Sequence, residues 1–198
     1  GDSDTSGLIN GTGYYVFIVD AYTVKLLHTP LSILTLDPSV ATGTNHTFRV
    51  PFDPAAGTST ASVNESETIK LGYSHGFNTG TEVIYSHGGD QSIGGLANKS
   101  SYYVIRVDNQ NIRLADSYAD SLEGIAVNLD STVALGSTHT IGVPFTAAQV
   151  IDSTSNVINF HGLHGLLNGQ SVVYDNGGGD SIVGLDHGKG LLRFHAMW

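Results

Sequence analysis

The chain has 198 residues, of which 40 % are hydrophobic and only 13 % charged, with a formal net charge of −10. That length allows one large or two ordinary domains, and the negative balance, with no Lys/Arg cluster to offset it, argues against nucleic-acid partners. With no cysteine, disulfides, zinc–thiolate sites and thiol catalysis are excluded; no apolar run reaches the roughly 18 residues of a membrane-spanning helix, so membrane insertion is not expected.

The N-terminal Gly1-Asp2-Ser3-Asp4 does not read as a signal peptide and is expected to be a cut or processed end. From Gly7 the chain runs through Tyr14-Tyr15-Val16 to Val19-Asp20, and a later strand, His46-Thr47-Phe48-Arg49-Val50, ends at Pro51-Phe52. A polar linker follows near Ala55–Ser62. Thr68–Leu71 alternates as a short strand, His75–Gly80 is a turn, and Glu82–Tyr85 is the next strand. After the tight turn Gly88-Gly89-Asp90 comes the strongest strand, Ser101–Val107, rich in the Tyr, Val and Ile that suit a pleated, half-buried surface. Asp108–Asn111 has turn chemistry and Ile112–Leu114 returns antiparallel as a hairpin. Ser117–Leu122 predicts a single helical turn ended by Gly124. Ile125–Leu129 and Thr138–Val143 read as strands, the second closed by Pro144, which has no N–H for a ladder.

Much of this occurs twice. Gly7-Leu8 through Val19-Asp20 returns 88 positions on as Gly95-Leu96 through Val107-Asp108. His75-Gly76 through Tyr85 returns 89 positions on as His164-Gly165 through Tyr174. His46-Thr47 through Pro51-Phe52 returns 93 positions on as His139-Thr140 through Pro144-Phe145. The longer offset marks about five residues missing from the first copy, where Pro30–Leu34 stands in place of the helical turn, as expected of an indel in a loop. A period of about 90 residues predicts one folding unit used more than once. The fold expected is all-β, with tandem small barrel or sandwich modules and at most single helical turns. Residues 1–65 read as the C-terminal part of a module, 66–152 as a complete module and 153–198 as the N-terminal part of another. The two partial units are expected to pair, within the chain or by exchange between chains, which would hide strand edges.

The pattern Gly-Leu-x-Asn-x-Ser/Thr-x-Tyr-Tyr-Val, then Val-Asp and x-Ile/Val-Lys/Arg-Leu, is carried by Gly95, Leu96, Asn98, Tyr102, Tyr103, Val104, Val107, Asp108, Ile112 and Leu114. Gly7, Leu8, Asn10, Tyr14, Tyr15, Val16, Val19, Asp20, Val24 and Leu26 carry it in the first copy. It resembles a module repeated in phage tail-fibre and other virion proteins and in large bacterial surface, adhesin-like proteins. The resemblance implies β modules strung in tandem on a virion or at the cell surface, with other copies of the chain or of the module as partners, and it implies no chemistry.

Candidate sites are few. His161 and His164 are the closest histidine pair, but a spacing of three puts them on opposite faces of a strand, and recurring His75/His164 and His46/His139 fit turn or packing roles. Asp175, Asp180 and Asp186 surround a second glycine turn and supply the hard oxygen ligands that would make calcium the metal of choice if one is bound. No enzyme is expected: Glu82 becomes Ser171 in the next copy, and the many Asp residues sit in turns, where Asx hydrogen bonding accounts for them. Tyr14 and Tyr102 are the candidate binding residues, since exposed rings stack on sugars and fill protein hot spots. The function expected is structural or adhesive display. The alternative is a carbohydrate-recognition module, calcium-assisted, with surface glycans as partners.

Overall fold

The computed structural model describes residues 8, 10–11, 13–29, 32–54, 58–59, 67–162 and 164–182. Strands dominate the regular structure of the described residues and are joined in one antiparallel sheet. In chain order the strands are β1 (Gly13–Ile18), β2 (Thr23–Thr29), β3 (Ser32–Ile33), β4 (His46–Phe52), β5 (Thr58–Ser59), β6 (Thr68–Lys70), β7 (Glu82–Ser86) and β8 (Ser101–Arg106). They continue as β9 (Asn111–Ala115), β10 (His139–Gly142), β11 (Pro144–Phe145), β12 (Ile151–Asp152), β13 (Val157–Asn159) and β14 (Ser171–Asp175). Their hydrogen-bonded order is β12-β13-β2-β1-β14-β4-β10-β7-β8-β9-β6-β5, with β3 on β2 and β11 on β4. The chain is all-β, and the path of this ladder is open.

Apolar residues at alternate strand positions build two cores. One gathers Tyr14, Val16, Val24, Leu26 and Phe48 from the N-terminal third and Phe145, Ile158, Val172 and Tyr174 from the C-terminal third. The other gathers Phe52, Ile69, Val83, Tyr85, Tyr102, Val104, Ile112, Leu114 and Ile141. The first core is closed by β1 pairing with β14, Tyr14 opposite Val172, as Tyr102 stands opposite Val83 in the second. Further registers correspond in the same way. Val16↔Leu26 matches Val104↔Leu114, Ile158↔Val24 matches Ile69↔Ile112, and Tyr174↔Phe48 matches Tyr85↔Ile141.

The two halves meet along β4 and β10–β11, which run antiparallel about a local two-fold. His139 is opposite Phe52 and Thr140 opposite Pro51; reciprocally, Phe145 is opposite His46 and Pro144 opposite Thr47. Each strand crosses the seam and delivers its terminal phenylalanine to the other half's core. Phe145, Ala147, Val150 and Ile151 therefore pack with the first core, and the change of core falls near Pro144, ahead of Asp152. Where the two His-Gly turns touch, the Gly76 N–H donates to the Gly165 carbonyl at 3.0 Å.

One local expectation is borne out and two need correction. The helical turn is a six-residue helix, α1 (Tyr118–Glu123), with the Ser117 hydroxyl accepting the Asp120 N–H and Gly124 at φ 77° as its left-handed stop. Ile125–Leu129 is not a strand. Its N–H groups go to scattered acceptors, Val127 to the Leu114 carbonyl and Leu129 to the Glu67 carboxylate, which satisfies the backbone without a ladder. Pro144 does not end pairing: the chain leaves β7 after Gly142 but continues along β4 as β11, where the missing N–H is tolerated. A four-residue helix, α2 (Ala147–Val150), and a 3₁₀ turn at Ser131–Val133 were not foreseen.

Candidate functional site

The seam carries a cluster of buried polar side chains. Arg49 is buried on β4, and its guanidinium Nη1 meets the Asp175 carboxylate of β14 at 2.9 Å. Its Nε donates to the Thr47 hydroxyl, and Nη1 lies 3.5 Å from the Thr140 hydroxyl across the seam. Strand alternation puts Thr47 and Arg49 on one face, and the register places Asp175 opposite Thr47. Burial pulls the Arg49 pKa below its ordinary value, and Asp175 opposes that shift; the group stays charged. Beside this pair a cleft of about 390 Å³ is lined by Arg49, Asp175, Ser86, Thr138, Thr140 and Asn10, among others.

The local two-fold is broken here. Gly142 stands where Arg49 does in the other half, and Ser86 where Asp175 does. A Cβ on Gly142 would lie 2.7 Å from Arg49 Cγ and 2.8 Å from the Phe48 carbonyl oxygen. One arginine fits the axis only because its counterpart has no side chain. Gly142→Ala is therefore expected to cost about 1–3 kcal/mol by overpacking, measured by urea unfolding. A loss under about 0.3 kcal/mol would mean that the seam yields and the close approach has no energetic consequence.

Histidines form a second, duplicated constellation. Tyr85 accepts the Ile93 N–H at 2.9 Å and donates its hydroxyl to His139 Nδ1 at 2.7 Å; His139 Nε2 donates to the Leu135 carbonyl at 2.8 Å. Tyr174 accepts the Ile182 N–H at 3.2 Å and donates to His46 Nδ1 at 2.7 Å, and His46 Nε2 donates to the Thr42 carbonyl at 3.0 Å. The Leu135 and Thr42 carbonyls can only accept, so each Nε2 carries the proton and each Nδ1 of the neutral ring accepts from the tyrosine hydroxyl. His75 and His164 likewise accept the Phe77 and Leu166 N–H groups at Nδ1. Burial lowers the pKa of His46, His75 and His164, and it raises that of Tyr85 and pushes that of Tyr174 up to about 12.

The expected binding residues are placed differently. Tyr14 and Tyr102 are buried in the two cores, so neither ring can stack on a ligand; the outward rings are those of Tyr15 and, half-buried, Tyr103. Strand parity decides this, because the core takes the residue in phase with Val16 and Val104. Of the calcium candidates, Asp175 is paired with Arg49, and Asp180 Oδ2 accepts the Thr42 hydroxyl at 3.0 Å. Asp186 lies outside the described residues. Among the described residues no group of three or more His, Asp or Glu side chains is placed to hold a metal ion. His161 and His164 bond to different carbonyls, those of Gln149 and Asp20. Arg49 was missed by the sequence reading. The signal was present: Arg49 and Asp175 depart together from the Gly142 and Ser86 of the other copy.

No family model matches the chain, and neither does any curated protein or solved structure.

Proposed function

We propose that the chain is a non-catalytic structural or adhesion protein, made of copies of one β unit and displayed on a phage virion, as in a tail fibre, or on a bacterial surface. The observation that carries this reading is the correspondence of registers between the halves, down to the Tyr85–His139 and Tyr174–His46 pairs. Duplicated scaffolding of this kind suits spacing and display. The polar residues add support, since they are engaged in holding backbone. Asp108 accepts the Gln110 and Asn111 N–H groups, Asp130 the Thr132 N–H, and Asp152 the Thr154 N–H. Antibody against the chain is expected to label intact particles or unpermeabilised cells that carry it. Labelling only after permeabilisation would overturn the reading.

The seam cleft favours a second reading, carbohydrate recognition. Its Ser86, Thr138 and Thr140 hydroxyls and the Arg49–Asp175 pair offer donors and acceptors of the kind that sugar hydroxyls match. A glycan array with and without chelator tests it. Bound glycan that is lost in Thr140→Val supports the cleft as the site, and chelator-sensitive binding adds calcium to it. No bound glycan removes this reading.

A further inference from the structure

The two halves differ on their outer sheet faces. In the second half α1 lies across β8 and β9, with the Tyr118 ring edge-on to Tyr103 at a centroid distance of 6.1 Å. Beneath it Ile105 is only 6 % exposed and Ala115 is buried. The first half has the same hairpin, β1–β2, in the same register. Among the described residues between β2 and β4, however, there is no helix. Phe17, which corresponds to Ile105, is 47 % exposed, and Tyr15 beside it is 36 % exposed. Leu27 lies opposite Tyr15, and the exposed Ile33 lies opposite Leu27. The result is an apolar stripe across three strands that no helix of the described residues covers, with Tyr15, Phe17 and Ile33 open and Leu27 between them 8 % exposed, and exposed apolar patches of this kind mark association surfaces.

The helix carries a matching ridge on its exposed surface. Ser121 is buried against the sheet, whereas Tyr118, Leu122 and Ile125 stand out, Leu122 at 59 % exposure. Tyr118 and Leu122 are four apart, hence neighbours on one helical face. Asp116, Asp120 and Glu123 surround this ridge, with no basic residue between Asp116 and Ile125. The bare stripe has Lys25 directly opposite Phe17. Lys25 thus sets a positive charge on the stripe against the acids that flank the ridge.

We propose that the bare β1–β2–β3 face of one chain receives the α1 ridge of a second copy. Because ridge and stripe are different surfaces, the contact is heterologous. Every assembly, of whatever length, keeps one free ridge at one end and one free stripe at the other, so association continues head to tail. This deepens the structural reading above. A chain that stays monomeric yet labels particles or cells from outside would remove the assembly proposal and leave that reading standing.

The test is sedimentation equilibrium of the chain over a range of concentrations. The average mass is expected to rise steadily past that of a dimer. Phe17→Glu and Leu122→Lys each remove one surface at an exposed position, and their thermal unfolding should match that of the unsubstituted chain. Each variant alone is expected to stay monomeric. Mixed in equal amounts they are expected to give a dimer and nothing larger, since only one ridge and one stripe remain. A monomeric unsubstituted chain, or association that survives both substitutions, overturns the proposal. So does a mixture that stays monomeric, since that outcome belongs to a self-complementary patch.

Discussion

Tyr85→Phe is expected to lower the unfolding free energy by about 2–4 kcal/mol, and Tyr174→Phe by a similar amount. Both rings are fully buried, so the substitution leaves packing nearly unchanged and removes one oxygen. That oxygen serves two partners. Without it the Ile93 N–H and His139 Nδ1, or the Ile182 N–H and His46 Nδ1, lose their bonds inside a buried core. Each orphaned group costs roughly 1–3 kcal/mol. The near-equality of the two losses is the sharper expectation, because it follows from the same bond pattern on both sides of the seam. Urea unfolding of both variants measures it. A loss below about 0.5 kcal/mol at either site, well under the orphan cost, would mean that the hydroxyl is not the pivot drawn here.

Stability is expected to fall as the pH drops from about 7 to about 5. His46, His75 and His164 all have pKa values lowered from 6.5, chiefly by burial. Between those depressed values and 6.5 the unfolded chain binds more protons than the folded one, so stability rises with pH across that window and is lost on acidification. The structural cause is direct: each Nδ1 accepts a hydrogen bond, from the Tyr174 hydroxyl or from the Phe77 or Leu166 N–H, and a proton there turns acceptor into donor. Each histidine contributes at most about 1.4 kcal/mol per pH unit, so three acting together approach roughly 4 kcal/mol per unit. Asp20, Asp37, Asp108, Asp130 and Asp152 have pKa values lowered first of all by hydrogen bonds from neighbouring turn residues, and they add losses of the same sign below the ordinary carboxylate range. Urea midpoints taken at several pH values test the slope. His46→Gln should reduce it, and a flat profile between about pH 7 and 5 would contradict the linkage.

Much of the hairpin structure was legible. Ser101–Val107 carries β8 because Tyr, Val and Ile suit a pleated, half-buried strand, and Asp108 turns the chain because its carboxylate accepts the N–H groups of Gln110 and Asn111. The helix after Ser117 was legible from its cap and its glycine stop. Ile125–Leu129 was misread because an apolar alternating run looks the same whether or not a ladder partner is within reach. The choice of Tyr14 and Tyr102 as binding rings failed for a related reason. In a Tyr-Tyr pair the two rings face opposite ways, and only the neighbouring sheet decides which way is inward.

The amino-acid order alone determined the strand-and-turn alphabet of this protein, its recurrence 88 to 93 positions on, and the absence of thiol chemistry. These depend on local sterics, alternation and composition, which act within a few residues. Tertiary structure decided which half meets which: β1 on β14, Phe52 and Phe145 exchanged across the seam, and Arg49 admitted at the axis by Gly142. Those outcomes depend on contacts between residues about 90 to 160 positions apart, and the free energy of such contacts exists only once the loops between them have closed.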